Sequence, residues 1–274
     1  MHEMSTVWLR VAAALYSLGL LQAILAILRR RSQQIFRPAL IAFLVAVVLH
    51  MVAIVEEGIY TGHFPVNNFW ESVTLCAFLL ALFFLFVYWR YQFESLSVFV
   101  FPLVFVMTLV GSFGRPVASW TNPAVRDVWL LVHVVLVLLG YAAMVLMAAA
   151  CVIYLIQERQ LKSKSPRVLA DRLPPLGTLD EFISRAMAMG FVLITLAVIA
   201  GSTWAFVESG THWIREPKIV ISLVTWAFYL AMIFLRVGAG WRGRKAAFLA
   251  LAVVGFSALT WVAHSNLRVM LGRG

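Results

Sequence analysis

The stretch PALIAFLVAVVLHMVAIVEEGIY, Pro38 to Tyr60, carries no Asp, Glu, Lys or Arg before Glu56. At 1.5 Å per residue, about 20 apolar residues in a helix cover the roughly 30 Å of a bilayer's hydrocarbon core. A helix also pairs its own backbone groups, as lipid requires. Among the ionisable residues of the run are His50 near its middle and Glu57 seven residues on, next to Glu56. That spacing is two helical turns, so both lie close to one helix face. Ionisable groups at that depth are costly unless they meet a partner or a cavity. Either the two line one polar channel, or His50 hydrogen-bonds a carbonyl of a neighbouring helix.

Seven further runs of the same kind flank this one, at 6–28, 72–90, 97–113, 128–156, 186–208, 217–236 and 246–264. The chain of 274 residues is 63% hydrophobic and 12% charged, with a mean hydropathy of +0.93. A water-soluble globule has no such composition. The expected fold is all-α, a polytopic bundle of about eight transmembrane helices in a single integral membrane domain over 1–274. Gly19, Gly140 and the alanines 142, 143 and 148–150 would let the first and fifth spans approach their neighbours closely.

The net charge of +10 reads as topology, not as a nucleic-acid interface. Of the 22 Lys and Arg, one set of alternate loops holds 15: Arg29, Arg30, Arg31, Arg37, Arg90, the six between Arg159 and Arg185, Arg236, Arg242, Arg244 and Lys245. The other side holds the remaining 7. The positive-inside bias places both termini outside the cytoplasm, in an inner (cytoplasmic) membrane crossed many times. No cleavable signal peptide is expected, since Arg29 to Arg31 follow the first run as a cytoplasmic stop.

The longest hydrophilic stretch, Gln157 to Arg185, reads as a cytoplasmic connector whose basic residues meet anionic lipid. Within it, Thr178 to Ile183 reads as a capped helix start, lying at the interface or opening the sixth span. Cys76 and Cys151 are about 75 residues apart within apolar runs, and read as small buried side chains.

Two histidines fall at one level near the outer side, His133 early in the fifth span and His264 at the end of the eighth. A pair of neutral imidazoles from different helices is what axial ligation of haem iron requires. Nearby outer-side residues add cations suited to propionates, Arg126 and Lys218 with Arg115 and Arg215, beside the tryptophans Trp120, Trp204 and Trp213. Interfacial anchoring accounts equally well for those tryptophans. Glu71 and Glu216 each sit near a helix start, where capping accounts for an acid. HExxH, Walker and nucleophile-elbow motifs are absent, so nothing points to hydrolysis or ATP use.

Several segments resemble the cytochrome c assembly family of eight-span membrane proteins, which includes CcsA-, ResC- and HemX-type members. The resemblance runs from about residue 40 to 266. It is carried by HFPVNNFWES (63–72), HVVLVLLGY (133–141), LPPLGTLD (173–180), 190–218, 226–229 and GWRGRKAA (240–247). It implies that the loop before the seventh span corresponds to a tryptophan-rich haem-binding segment like WGxxWxWDPK. Gly210, Trp213, Pro217 and Lys218 match that segment, whereas Glu216 stands for its Asp and Arg215 for a Trp. His133 matches the family's first external histidine. Arg236 takes the place of a histidine found after span seven in cytochrome c synthases, and no GLHSY-like motif follows the eighth run.

Those departures favour the HemX-like branch. The resemblance therefore implies a protein that binds or passes haem at the outer face, with His133 as the iron ligand that matches; His264 is the second candidate ligand from its level in the eighth span, not from the family pattern. His50, Glu57, Trp204, Trp213, Lys218 and Arg126 are the other candidate cofactor contacts. Implied partners are haem, membrane lipid and either a second cytochrome c assembly subunit or a haem-biosynthesis enzyme. No independent catalytic activity is expected.

Overall fold

The computed structural model describes residues 3–28, 32–62, 64–66, 69–114, 125–163, 173–209 and 217–270; side chains at 26–28, 32–34, 69, 125–128, 130, 207–209, 217, 218 and 259–270 fall outside the description. The elements are α1 (Glu3–Leu28), α2 (Ser32–Thr61), α3 (Phe69–Tyr91), a 3₁₀ turn (Glu94–Leu96), α4 (Ser97–Ser112), α5 (Val125–Lys162), α6 (Leu176–Ser209), α7 (Pro217–Val237) and α8 (Arg244–Met270). Seven of these, α1 to α7, include described stretches long and apolar enough to cross a membrane. The chain is a multi-pass, all-helical membrane protein.

Helix ends depart from the apolar runs in one region. α5 continues to Lys162 and α6 already begins at Leu176, so most of the described part of the Gln157–Arg185 connector is helix. Of the two readings of Thr178 to Ile183, opening the sixth span is the one observed. Hydropathy marks only the lipid-crossing part of a helix. Beyond it the turns persist on local pairs, Lys162 with Glu158 at 2.6 Å and Arg185 with Glu181, until the segment holding Pro166, Pro174 and Pro175 intervenes.

Contacts gather α1 to α4 into one compact unit and α5 to α8 into another. In the first, α1 packs on α2 and α4, and α3 on α4 and α2. Its centre is aromatic: Phe43 stacks on Phe101 at 4.3 Å and meets Phe84 at 5.7 Å and Tyr16 at 5.0 Å. The Phe101 ring reaches α1 because Gly19 lacks a Cβ, which would stand 2.8 Å from it. The turn from α3 into α4 is tight, with Gln92 left-handed (φ 55) and its N–H donated to the Tyr88 carbonyl at 2.8 Å.

In the second unit α5 packs on α6 and α8, and α7 on α6 and α8. Ala142, Ala143, Ala149 and Ala150 are buried, and a Cβ on Gly140 would stand 2.6 Å from Ile194 of α6. This is the close approach expected of small residues, which in lipid replaces hydrophobic driving force with backbone-near packing. α7 is tied to α6 by Tyr229, whose hydroxyl donates to the Met187 carbonyl at 2.9 Å, and by Trp226 Nε1 donating to Thr195 Oγ1 at 3.0 Å. Tyr229→Phe is expected to cost about 1 kcal/mol, read as a small drop in thermal midpoint in detergent. An unchanged midpoint would mean the hydroxyl contributes nothing to holding α7.

Gly240 and Gly243, both at positive φ, turn the chain from α7 into α8. At the same end lies Arg236, 8% exposed. Its Nη2 donates to the Asp180 carboxylate at 2.9 Å, to the Asp180 carbonyl at 2.9 Å and to Ser184 Oγ at 2.5 Å. The Gly243 N–H donates to the same carboxylate at 3.4 Å. Arg236, a departure from the family pattern, therefore clamps α7 and the following turn onto α6.

Candidate functional site

His133 lies in the third turn of α5, half-buried against α6. Its Nδ1 is 2.8 Å from the Ala197 carbonyl. A carbonyl can only accept, so Nδ1 carries the proton and the neutral ring keeps its lone pair on Nε2. Among the described residues no hydrogen bond engages Nε2. One turn earlier on the same face, Trp129 donates its indole N–H to the Ala200 carbonyl at 2.7 Å. Two side chains four residues apart on α5 thus seize two carbonyls three residues apart on α6.

Their close approach depends on Gly201. A Cβ there would stand 2.6 Å from Cε1, 2.7 Å from Nδ1 and 3.3 Å from Nε2 of His133. Trp204 follows at seven residues from Ala197, two turns on along that α6 face, and is half-buried. The end of the second unit where α5 starts and α6 finishes therefore gathers His133, Trp129 and Trp204. The sequence reading singled out His133 and Trp204 and passed over Trp129 and Gly201. Trp129 carried a usable signal, its four-residue spacing from His133.

His264 lies in the last third of α8, which packs on α5; its side chain is outside the described residues. So are the side chains of Arg126 and Lys218, the whole of Trp213, and the loop residues His63, His212, Arg215 and Glu216.

His50 and Glu57 belong to the first unit. Both are buried, at 0% and 2% exposure, and α1 supplies a partner to each. Ser5 Oγ donates to Glu57 Oε2 at 2.5 Å, and the Tyr16 hydroxyl lies 3.5 Å from His50 Nδ1. Phe78 closes the His50 ring edge-on at 5.5 Å. A cavity of about 10 Å³ lies at Glu57, walled by Ala53, Ile54, Glu57, Pro65, Glu71 and Thr74. That is room for about one water. His50 is not among its walls; among the described residues the two are linked through their α1 partners, Ser5 and Tyr16. Ser5 and Tyr16 were missed because a lone hydroxyl in an apolar run has no distinguishing pattern.

Among the described residues no three His, Cys, Asp or Glu side chains converge as a metal cluster. A haem axial ligand needs no such cluster, only an imidazole nitrogen free of its proton with its other nitrogen anchored. His133 meets that requirement. Cys76 and Cys151 are free thiols, Cys151 buried and Cys76 half-buried.

Comparison with known proteins agrees with the resemblance. The family described as "Cytochrome C assembly protein" matches residues 66–265. The "Cytochrome c biogenesis protein CcsA" of Prochlorococcus marinus (strain MIT 9301) is 31% identical over 248 residues, 82% of this chain and 79% of that protein. Its counterpart in strain MIT 9312 is 29% identical, over 80% and 78% of the two chains. That of Heterosigma akashiwo (strain NIES-293 / 8280G21-1) is 25% identical, over 77% and 75%. These three carry the CcsA name and lend no support to the HemX-like branch. With so much of its length matched by the family and by relatives of similar extent, the chain belongs to the cytochrome c assembly protein family.

Proposed function

We propose that this protein serves cytochrome c biogenesis by holding or passing haem at the outer face of the inner (cytoplasmic) membrane, with both termini on that side and His133 as an iron ligand through Nε2. The observation that carries the reading is the Nδ1 to Ala197 carbonyl hydrogen bond. It anchors the ring and leaves one nitrogen as a ligand, the arrangement expected of a metal-binding histidine. Haem, when bound, supplies the iron and the vinyl groups from which thioether links to an apocytochrome are made. The chain's own residues anchor and orient. Trp129 and Trp204 offer aromatic surface at the same end of the α5–α6 pair, while His264, Trp213, Lys218 and Arg126 are candidates for the second ligand, the ring platform and the propionate partners. The CcsA-type names of the relatives favour a part in a synthase, acting with a second membrane subunit, over regulation of a haem-biosynthesis enzyme.

The test is an absorption spectrum of the detergent-purified protein, oxidised and reduced, with haem quantified after titration. Near-stoichiometric haem with a Soret band and sharp reduced α and β bands is expected. His133→Ala should lower the haem retained by about 10-fold or more, as the loss of an iron ligand implies. Equal haem in wild type and variant would remove His133 from the assignment. A wild-type protein that takes up no haem would overturn the whole reading.

A further inference from the structure

Two side chains of α5 donate to carbonyls of α6, Trp129 to Ala200 at 2.7 Å and His133 to Ala197 at 2.8 Å. Both carbonyls lie in an unbroken helix and so also serve as acceptors within it, which makes them accessible to a second donor only along one side. For a bulky imidazole to reach that side, the α6 surface beside it must be bare. Gly201 makes it so: a methyl there would sit within 2.7 Å of two ring atoms, inside any tolerable contact. A ring pushed away from α6 loses the Ala197 carbonyl, and with it the only described interaction that distinguishes its two nitrogens.

We propose that Gly201 is a positioning residue for His133: the bare α6 surface seats the imidazole on the Ala197 carbonyl, so that Nδ1 holds the proton and Nε2 presents the lone pair. The tautomer follows from the geometry alone. Its consequence for haem rests on the function proposed above.

A control lies in the same helix pair. A Cβ on Gly140 would stand 2.6 Å from Ile194 Cδ1, so Gly140→Ala crowds the α5–α6 packing without touching His133. The obstructing atoms there, Cδ1 and at 2.8 Å Cγ1, belong to a single side chain, Ile194.

The experiment is nitrogen-15 NMR of histidine-labelled, haem-free full-length protein at mildly alkaline pH, with the His133 signals identified by their loss in His133→Ala. Wild type should show His133 with a protonated Nδ1 and a bare Nε2. Gly201→Ala should show mixed tautomers and retain about 10-fold to 100-fold less haem, whereas Gly140→Ala should keep both the tautomer and the haem. A wild-type His133 protonated on Nε2 overturns the proposal without any variant having to fold. So does a Gly201→Ala protein with the wild-type tautomer, or a Gly140→Ala protein that loses it equally. If the tautomer responds as expected but haem uptake ignores both Gly201→Ala and His133→Ala, the positioning stands and the haem-ligand reading fails.

Discussion

Arg236→Ala is expected to destabilise the α5–α8 unit by about 3 to 5 kcal/mol, the cost of breaking a buried ion pair by removing one partner. The side chains of Arg236 and Asp180 are 7% and 24% exposed, so little water is at hand to replace the lost partner. The substitution also takes a donor from Ser184 Oγ, 3.0 Å from Arg236 Nε, which keeps its own bond to the Asp180 carbonyl at 2.8 Å, and leaves the Asp180 carboxylate with the long Gly243 contact of 3.4 Å. The double variant Asp180→Asn with Arg236→Met should be less damaged than Arg236→Ala, because no uncompensated charge stays behind. Arg236→His, the residue that the resemblance leads one to expect here, should not recover stability, since an imidazole cannot donate to Asp180 and Ser184 together in the way a guanidinium does. Cys151, fully buried in the same unit and within electrostatic reach of both members of the pair, is a convenient reporter. Its labelling by a maleimide should accelerate by about 100-fold to 4,000-fold if labelling follows local opening. A rate within twofold of wild type would show that the clamp does not hold the unit closed.

Phe43→Ala should cost about 2 to 3 kcal/mol in the α1–α4 unit. In water a buried Phe→Ala change costs about 3 to 5 kcal/mol, part transfer and part cavity. In a bilayer the transfer part shrinks, since an exposed Phe meets lipid as apolar as the core. What survives is the lost contact with Phe101, Phe84 and Tyr16. Phe43→Leu should recover about half. Cys76, half-buried on α3 of this unit, gives the matching labelling readout. A full aqueous-sized penalty would argue that the site opens to water instead of lipid when it unfolds.

These two predictions concern features of very different visibility in the sequence. Phe43 sits in the run that announced a membrane helix, and any central aromatic of such a run is a fair core candidate. Arg236 stood out in the sequence as a basic residue where the resemblance leads one to expect a histidine, but with no partner in view. Its role appears only when Asp180, 56 residues earlier, is brought beside it. The same holds for Glu57 and Ser5, 52 residues apart. His133 was legible from its residue type, its place in a span and its match to the family pattern, but its chemical state was not. The atom that sets its tautomer belongs to the Ala197 backbone, 64 residues away.

Helices and their lipid-crossing lengths follow from local terms, hydropathy summed over about 20 residues and the need to pair each backbone group within its own segment, and these are written residue by residue in the chain. Partner choice is not local. Every residue carries a carbonyl, so Ala197 and Ala200 have no signature as acceptors, and a glycine such as Gly201 reveals its purpose only when another helix lies against it. The all-helical, multi-pass character of this protein is accordingly plain from its amino acids, while the seat of His133, the clamp at Arg236 and the polar contacts of α1 with His50 and Glu57 arise from packing that brings groups distant in the chain into hydrogen-bond reach.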